Sequence, residues 1–148
     1  LEKGWVGQVY HSTFQGKARG AGILINKSVP FVSSEIKSDP NGRFVIVVGK
    51  LYSLPVTLAC VYAPNWDDSK FMSNFPSGIP YLDTHQLILA GDCNCVMSPL
   101  LDRSSTPVVA RSKMAEYIED FLQCCAMFDP WRYLYPTKKE YSTQMTPN

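Results

Sequence analysis

The sequence lacks the features that would place the chain in a membrane or in a secretory pathway. None of its apolar stretches is long enough to span a bilayer, and its start shows no signal-peptide pattern. It also lacks an excess of charge of either sign, since 14 Lys and Arg stand against 13 Asp and Glu. The resulting charge of +1 neither requires nor excludes a nucleic-acid partner, because a local basic patch decides such binding.

Cysteine is sparse and badly arranged for disulfides or for zinc. The five cysteines are odd in number, two of them are adjacent, and Cys60 lies inside an apolar run. No second Cys/His pair stands at zinc-binding spacing from Cys93 and Cys95. We interpret the cysteines as reduced thiols of an intracellular protein, nuclear or cytoplasmic and not secreted.

The chain begins at Leu1 and not at a methionine, which suggests a fragment of a longer protein. Its composition, 45% hydrophobic and 18% charged, is that of a globular protein with enough chain for a core. Repeats, low-complexity tracts and linkers are absent from the sequence. We therefore expect a single partial domain over residues 1–148, with a divergent tail at 143–148.

Alternating or β-branched apolar runs predict strands at residues 5–11, 22–25, 29–36, 43–50, 54–62 and 87–90. The turn signal Asp39-Pro40-Asn41-Gly42 predicts a hairpin, and residues 12–20 are expected to form a polar loop. Helical spacing predicts helices at 67–75 and at 112–127, the second with Ser112 as its N-cap. Many strands with few helices indicate an α+β four-layer sandwich of two mixed β-sheets flanked by helices.

The segment after residue 86 combines a buried-strand pattern with polar side chains. The uncharged run 87–90 is too short for an independent helix, and we interpret it as a strand buried on both faces. Gly91 breaks the run, and Asp92 and Asn94 follow. A strand that delivers a carboxylate and an amide to its C-terminal end is a common way of building a site. An ordinary turn is the alternative, since Gly, Asp and Asn are turn residues.

Six short segments occur in the order in which one protein family carries them. The segments are Lys17-Ala18-Arg19-Gly20-Ala21-Gly22-Ile23-Leu24-Ile25, Val61-Tyr62-Ala63-Pro64-Asn65, Gly91-Asp92-Cys93-Asn94, Leu101-Asp102-Arg103-Ser104, Asp129-Pro130-Trp131-Arg132 and Glu140-Tyr141-Ser142. In these segments the chain resembles the endonuclease–exonuclease–phosphatase superfamily, and within it the endonuclease domain of LINE-type retrotransposon polyproteins.

The resemblance implies a Mg²⁺-dependent phosphodiesterase that nicks one DNA strand with an activated water and that, in the family, is fused to a reverse transcriptase. In this family Asp92 would orient or deprotonate the water, and Asn94 would hold that water or the scissile phosphate. Tyr62 would stabilise the charge of the transition state. These roles suit the chemistry, because a phosphodiester anion repels hydroxide and the site needs a base and donors where negative charge grows.

The family also implies residues that contact the DNA. Asn65 would support the rim of the site, and Ser142 would contact the DNA backbone. Two interpretations stay open for Arg103, which would touch a DNA phosphate or cap its loop with Asp102. For Tyr62, a core tyrosine at a strand end is as good an interpretation as a catalytic one.

The family's metal-binding glutamate and its C-terminal Asp-His motif have no counterpart in this chain, so we expect the domain to be incomplete at both termini. The metal ligands are therefore unknown, with Asp92 as a possible one, and we expect weak activity or none. A non-enzymatic remnant or DNA-binding fragment is a second hypothesis. An abasic-site endonuclease or a phosphatase of the same superfamily is a third, and the Leu-Asp-Arg-Ser segment argues against it.

Overall fold

The structure is a computed structural model that describes residues 6–15, 19–102 and 112–139. Its elements are β1 (Gly7–Phe14), β2 (Arg19–Asn26), β3 (Phe31–Ser38), β4 (Phe44–Leu51), β5 (Leu54–Tyr62), α1 (Ser69–Ser77), β6 (Gln86–Asp92), α2 (Pro99–Asp102), α3 (Lys113–Cys124) and α4 (Pro130–Leu134). The chain divides into two compact units, Leu1–Asn65 with Asn74–Asn94, and Trp66–Ser73 with Cys95–Asn148.

The first unit contains two β-sheets. β1 and β2 form an antiparallel pair, and the other strands form a four-stranded sheet in the order β3-β4-β5-β6. Within the larger sheet β3, β4 and β5 are antiparallel neighbours, whereas β6 runs parallel to β5. The parallel pairing brings the C-terminal ends of β5 and β6 to the same edge of the sheet.

The two sheets pack face to face over a core of aliphatic side chains. Ala21 and Ile25 of β2 contact a cluster that includes Val45, Val47 and Val56 of the larger sheet. Full burial of one such valine stabilises the fold by about 1.5–3 kcal/mol. The β-branched residues of β4 suit both faces of the strand, since residues 45–49 are all buried.

The turn before β4 is built by its own side chains and rests on the β1–β2 hairpin. The carboxylate of Asp39 accepts the backbone N–H of Arg43 over 3.0 Å, and the buried Ser12 hydroxyl donates to the Asp39 carbonyl. Gly42 has φ +70°, and a Cβ there would lie 2.9 Å from the backbone N of Phe14. The predicted hairpin is therefore confirmed, and its turn admits little more than glycine at position 42.

Several sequence predictions need correction in the first unit. Most of the described residues of the expected loop at 12–20 are strand residues instead, because Ser12 to Phe14 of β1 pair with Arg19 to Ala21 of β2. The run 87–90 does form a strand, but burial on both faces is wrong. In the described part of the chain β6 has a neighbour on one side alone, and Ile88 is 51% exposed.

The second unit contains α3, which carries an apolar stripe. Ser112 is its N-cap, as predicted, and its hydroxyl accepts the backbone N–H of Ala115 over 3.1 Å. Asp67 of the same unit accepts the next free N–H groups, those of Lys113 and Met114. These contacts satisfy the donors that the first turn of a helix leaves unpaired. Met114 and Ile118 of the stripe are buried, but Tyr117 is 42% exposed.

The α+β class with two sheets is confirmed. One part of the prediction is wrong among the described strands, since the four-stranded sheet is mixed and the two-stranded sheet is purely antiparallel. Flanking helices on both sides, a single domain and incomplete termini remain predictions. The predicted tail at 143–148 lies outside the described residues. Of the helices in the described ranges, none is long and apolar enough to cross a membrane.

Candidate active site

The candidate site lies where β5 and β6 end side by side. Tyr62 and Asp92, the last residues of these two parallel strands, are direct partners in the register. One residue later, Ala63 donates its backbone N–H to the carbonyl oxygen of Asp92 over 2.8 Å. The pairing fixes the spacing of the two strand ends. It therefore holds the tyrosine and the carboxylate on neighbouring strands without help from a loop.

Gly91 allows this close approach. Its φ is +133°, and a Cβ there would lie 1.9 Å from the carbonyl oxygen of Val61 on the neighbouring strand. Both the backbone conformation and the missing space exclude larger residues. The glycine of the Gly-Asp-Cys-Asn segment thus has a structural role, which is to let β6 deliver Asp92 beside Tyr62.

Asn94 connects the two strand ends through its side chain. Its backbone is left-handed, with φ 47°, and its N–H donates to Oδ1 of Asp92 over 2.9 Å. Its side-chain Nδ2 donates to the carbonyl oxygen of Ala63 over 2.7 Å. Asparagine tolerates this conformation better than most residues. Asp92 and Asn94 therefore form a turn and are part of the strand-end cluster at once.

Arg43, which our reading of the sequence missed, belongs to the same cluster. Its Nη1 donates to the carbonyl oxygens of Tyr62 and Ala63, over 3.3 and 3.2 Å. Its guanidinium carbon lies 5.5 Å from the centroid of the Tyr62 ring. The residue is 8% exposed, although it is charged. Its place directly after a hairpin turn and before the apolar run 44–48 is the one signal in the sequence that could have pointed to it.

Cys93 lies between Asp92 and Asn94 in the sequence. Burial raises the pKa of its thiol above the ordinary value of 9.0, and the negative charge of Asp92 raises it further. The thiol therefore stays protonated near neutral pH. Because a nucleophilic cysteine needs the thiolate, Cys93 is unsuited to covalent catalysis. All five cysteines of the chain are free thiols in the structure.

The structure brings together three of the predicted site residues. Tyr62, Asp92 and Asn94 lie at one pair of strand ends, with Asp92 and Asn94 exposed and Tyr62 half-buried. Asn65 follows three residues after Tyr62 and is exposed. Ser142 and Arg103 lie outside the described residues. The roles assigned to all six from the resemblance stay predictions.

The described residues do not make a magnesium site by themselves. No group of three or more His, Cys, Asp or Glu side chains within them is arranged to hold a metal ion. Among the described residues Asp92 supplies a carboxylate at the ends of β5 and β6, and its Oδ1 already accepts the N–H of Asn94. Mg²⁺ is bound in proteins through one or two carboxylates with waters and substrate oxygens. Asp92 supplies one carboxylate, which is the minimum of that set.

No protein-family model matches the chain. Among solved structures it is similar to the "Endonuclease domain of TRAS1, a telomere-specific non-LTR retrotransposon", with a TM-score of 0.52 and 15% sequence identity. The similarity covers 80% of this chain and 52% of that one, so the chain spans about half the length of this neighbour. At this identity the likeness establishes the fold. The chain has the fold of a retrotransposon endonuclease domain, and the resemblance stated from its segments is confirmed at that level.

Proposed function

We propose that the chain is part of a Mg²⁺-dependent endonuclease domain of a retrotransposon, which nicks one strand of DNA with an activated water. One observation carries the proposal: an acid, an amide and a tyrosine lie at the ends of two adjacent parallel strands in a fold shared with an endonuclease domain. Carboxyl ends of parallel strands are where α/β folds place their sites.

Each side chain has a place in this chemistry. Asp92 is the base that orients the attacking water and takes its proton, as Oδ2 is not used by the Asn94 N–H. Asn94 uses Nδ2 on Ala63 and presents Oδ1 as an acceptor for the same water. Tyr62 supplies a hydroxyl that donates to the phosphate oxygens where negative charge grows. Asn65, Arg103 and Ser142 are proposed to contact the DNA.

The cation-binding half of the site is missing from the described residues, so we expect the chain alone to be a poor catalyst. Loss of single members of a catalytic unit costs orders of magnitude in rate, and such losses are not additive. In a longer intracellular polypeptide, with a reverse transcriptase fused to the domain, further acids would complete the site.

The proposal is tested by single-turnover cleavage of a labelled DNA duplex with protein in excess and about 10 mM Mg²⁺. We expect slow nicking by the wild type and none by Asp92→Ala, while the matched variant Asp83→Ala, at an exposed position away from the strand ends, keeps the wild-type rate. The longest open reading frame that contains the chain is assayed in parallel and should nick faster.

The other hypotheses predict different results when DNA binding and the hydrolysis of other substrates are measured beside DNA cleavage. DNA binding that weakens with salt, without nicking by either protein, would favour a DNA-binding remnant over an enzyme. Release of phosphate from a lipid or inositol phosphate, or cleavage at abasic sites alone, would favour another activity of the superfamily. Cleavage that Asp92→Ala leaves unchanged would overturn the assignment of this site.

A further inference from the structure

Arg43 is a buried cation whose side chain donates to the carbonyl groups at and just after the end of β5. An arginine that is 8% exposed is costly to bury unless its N–H groups are bonded. Nη1 of Arg43 donates to the carbonyl oxygen of Tyr62, the last residue of β5, and to that of Ala63, which follows it. The carbonyl oxygen of Arg43 accepts the N–H of Tyr62 over 2.7 Å. Arg43 therefore forms hydrogen bonds with the end of β5 through both its own backbone and its own side chain.

The Ala63 carbonyl oxygen connects Arg43 to the candidate site. That oxygen accepts Nη1 of Arg43 over 3.2 Å and Nδ2 of Asn94 over 2.7 Å. A carbonyl oxygen has two lone pairs, so one acceptor can serve both donors. The orientation of the Asn94 amide is therefore set by a carbonyl group that Arg43 holds in place.

Arg43 is also fixed from its other side, which makes it suitable as a rigid support. The Asp39 carboxylate accepts its backbone N–H, and the turn that contains Asp39 rests on the β1–β2 hairpin through Gly42. The guanidinium lies 5.5 Å from the ring centroid of Tyr62, within the range of cation–π contacts. A site is precise when its residues are held by such supporting bonds.

We propose that Arg43 is a positioning residue for the strand-end site: it holds the Ala63 carbonyl group that orients Asn94, and its guanidinium fixes the Tyr62 ring. The inference rests on the proposed function in so far as Asn94 and Tyr62 act on DNA. Arg43 touches neither water nor phosphate in this scheme. It acts through the backbone of β5.

Amide hydrogen exchange, read residue by residue by NMR on the full chain, tests the proposal without requiring activity. In Arg43→Met the amides of Ala63 and Asn94, which bond to Asp92, should exchange about ten-fold faster relative to mid-strand amides of β4 such as Val47. Arg43→Lys keeps the charge but has a single donor nitrogen in place of the planar guanidinium, and should raise the same ratio about three-fold. A purely structural arginine would change all amides together and leave the ratio unchanged.

The control is Arg132→Met, because Arg132 also donates to backbone carbonyl oxygens, those of Tyr135 and Lys138, but in the second unit. It should leave the ratio at Ala63 and Asn94 at the wild-type value. If Arg43→Met does not fold, Arg43→Lys carries the test by itself. An unchanged ratio in Arg43→Lys and in any folded Arg43→Met overturns the proposal.

A kinetic measurement then separates this inference from the proposed function. Where the longer polypeptide nicks DNA, Arg43→Lys should lower kcat about ten-fold and change KM less than about two-fold, because positioning affects the transition state more than binding. Loss of DNA affinity with unchanged kcat would contradict positioning. If no protein nicks DNA, the proposed function fails, whereas the exchange ratio still decides whether Arg43 orients Asn94.

Discussion

Arg132 donates from Nη2 to Oδ1 of Asp102 over 2.5 Å, and this ion pair joins two of the six segments that carry the resemblance. Oδ2 of Asp102 accepts the backbone N–H of Ser98 over 2.8 Å. Nη1 of Arg132 donates to the carbonyl oxygen of Lys138 over 2.9 Å. The ion pair thus connects Asp102 of the Leu-Asp-Arg-Ser segment to Arg132 of the Asp-Pro-Trp-Arg segment. Both oxygens of Asp102 have partners other than Arg103, which lies outside the described residues.

This ion pair should be measurable as a coupling energy. Asp102→Asn, Arg132→Met and the double variant are compared by urea unfolding, and we expect a coupling of about 1 kcal/mol. Both side chains are more than a quarter exposed, at 27% and 28%, so the attraction is partly screened and should shrink in 1 M salt. Purely additive effects of the two substitutions would show that the pair contributes nothing.

The parts of the fold that the sequence predicts are those set by local pattern. The bounds of β5 agree with the prediction, because its apolar residues alternate, and the turn at 39–42 follows from its Asp-Pro-Asn-Gly signal. The exposure of β6 was not predictable in this way, since a four-residue apolar run does not show whether a strand lies beside it. The prediction of two buried faces assumed a neighbour on both sides.

The candidate site also contains residues that the sequence predicts and a residue that it does not. Asp92 and Asn94 stand in a recognisable segment and Tyr62 ends a predicted strand, so their placement at strand ends was foreseeable, although the parallel pairing of the two strands was not. Arg43 was not, because its burial depends on contacts with residues 19 and 20 positions away. A charged residue at the start of a strand is usually solvated, and its place between a hairpin turn and an apolar run does not by itself show that it is buried.

Gly91→Ala tests the close approach of β6 to β5. The new methyl group would lie 1.9 Å from the Val61 carbonyl oxygen at a φ of +133°, so we expect a loss of about 3 kcal/mol or more in the free energy of unfolding. Gly22→Ala is the matched control. Its Cβ would lie 3.6 Å from the nearest atom, Tyr10 O, and the substitution should change stability by less than about 1 kcal/mol. Equal effects of the two substitutions in denaturant unfolding would refute the steric argument.

Thr57→Val should stabilise the protein. Thr57 is 1% exposed, and its Oγ1 has no hydrogen-bond partner in the part of the chain that the structure describes. Valine fills the same space without an unsatisfied hydroxyl, so the free energy of unfolding should rise by about 1 kcal/mol. Thr13→Val, at an exposed position of β1, should change it by less than about 0.5 kcal/mol. A fall in the stability of Thr57→Val would reveal a bond to the hydroxyl.

Mg²⁺ should stabilise the isolated chain very little. A ligand that binds the folded state raises stability by RT ln(1 + [L]/Kd), and Oδ2 of Asp92 alone should bind the ion only weakly. About 10 mM MgCl₂ should therefore raise Tm by less than about 1 °C over NaCl of equal ionic strength. A rise of several degrees that disappears in Asp92→Asn would show that the chain binds the cation well by itself.

The thiol of Cys93 reports on the electrostatics of the strand ends. Because burial and then the charge of Asp92 raise its pKa above 9.0, alkylation by iodoacetamide should increase with a midpoint above pH 9.0. Asp92→Asn removes the second cause and should lower the midpoint, although burial keeps it above 9.0. The same shift makes the free energy of unfolding depend on pH. The stabilising contribution of the protonated Cys93 thiol is complete below the pKa of the unfolded thiol and is lost as the pH rises through the pKa of the folded thiol. Unfolding of wild type and Cys93→Ser across that range measures this loss, and an identical pH dependence of the two proteins would contradict it.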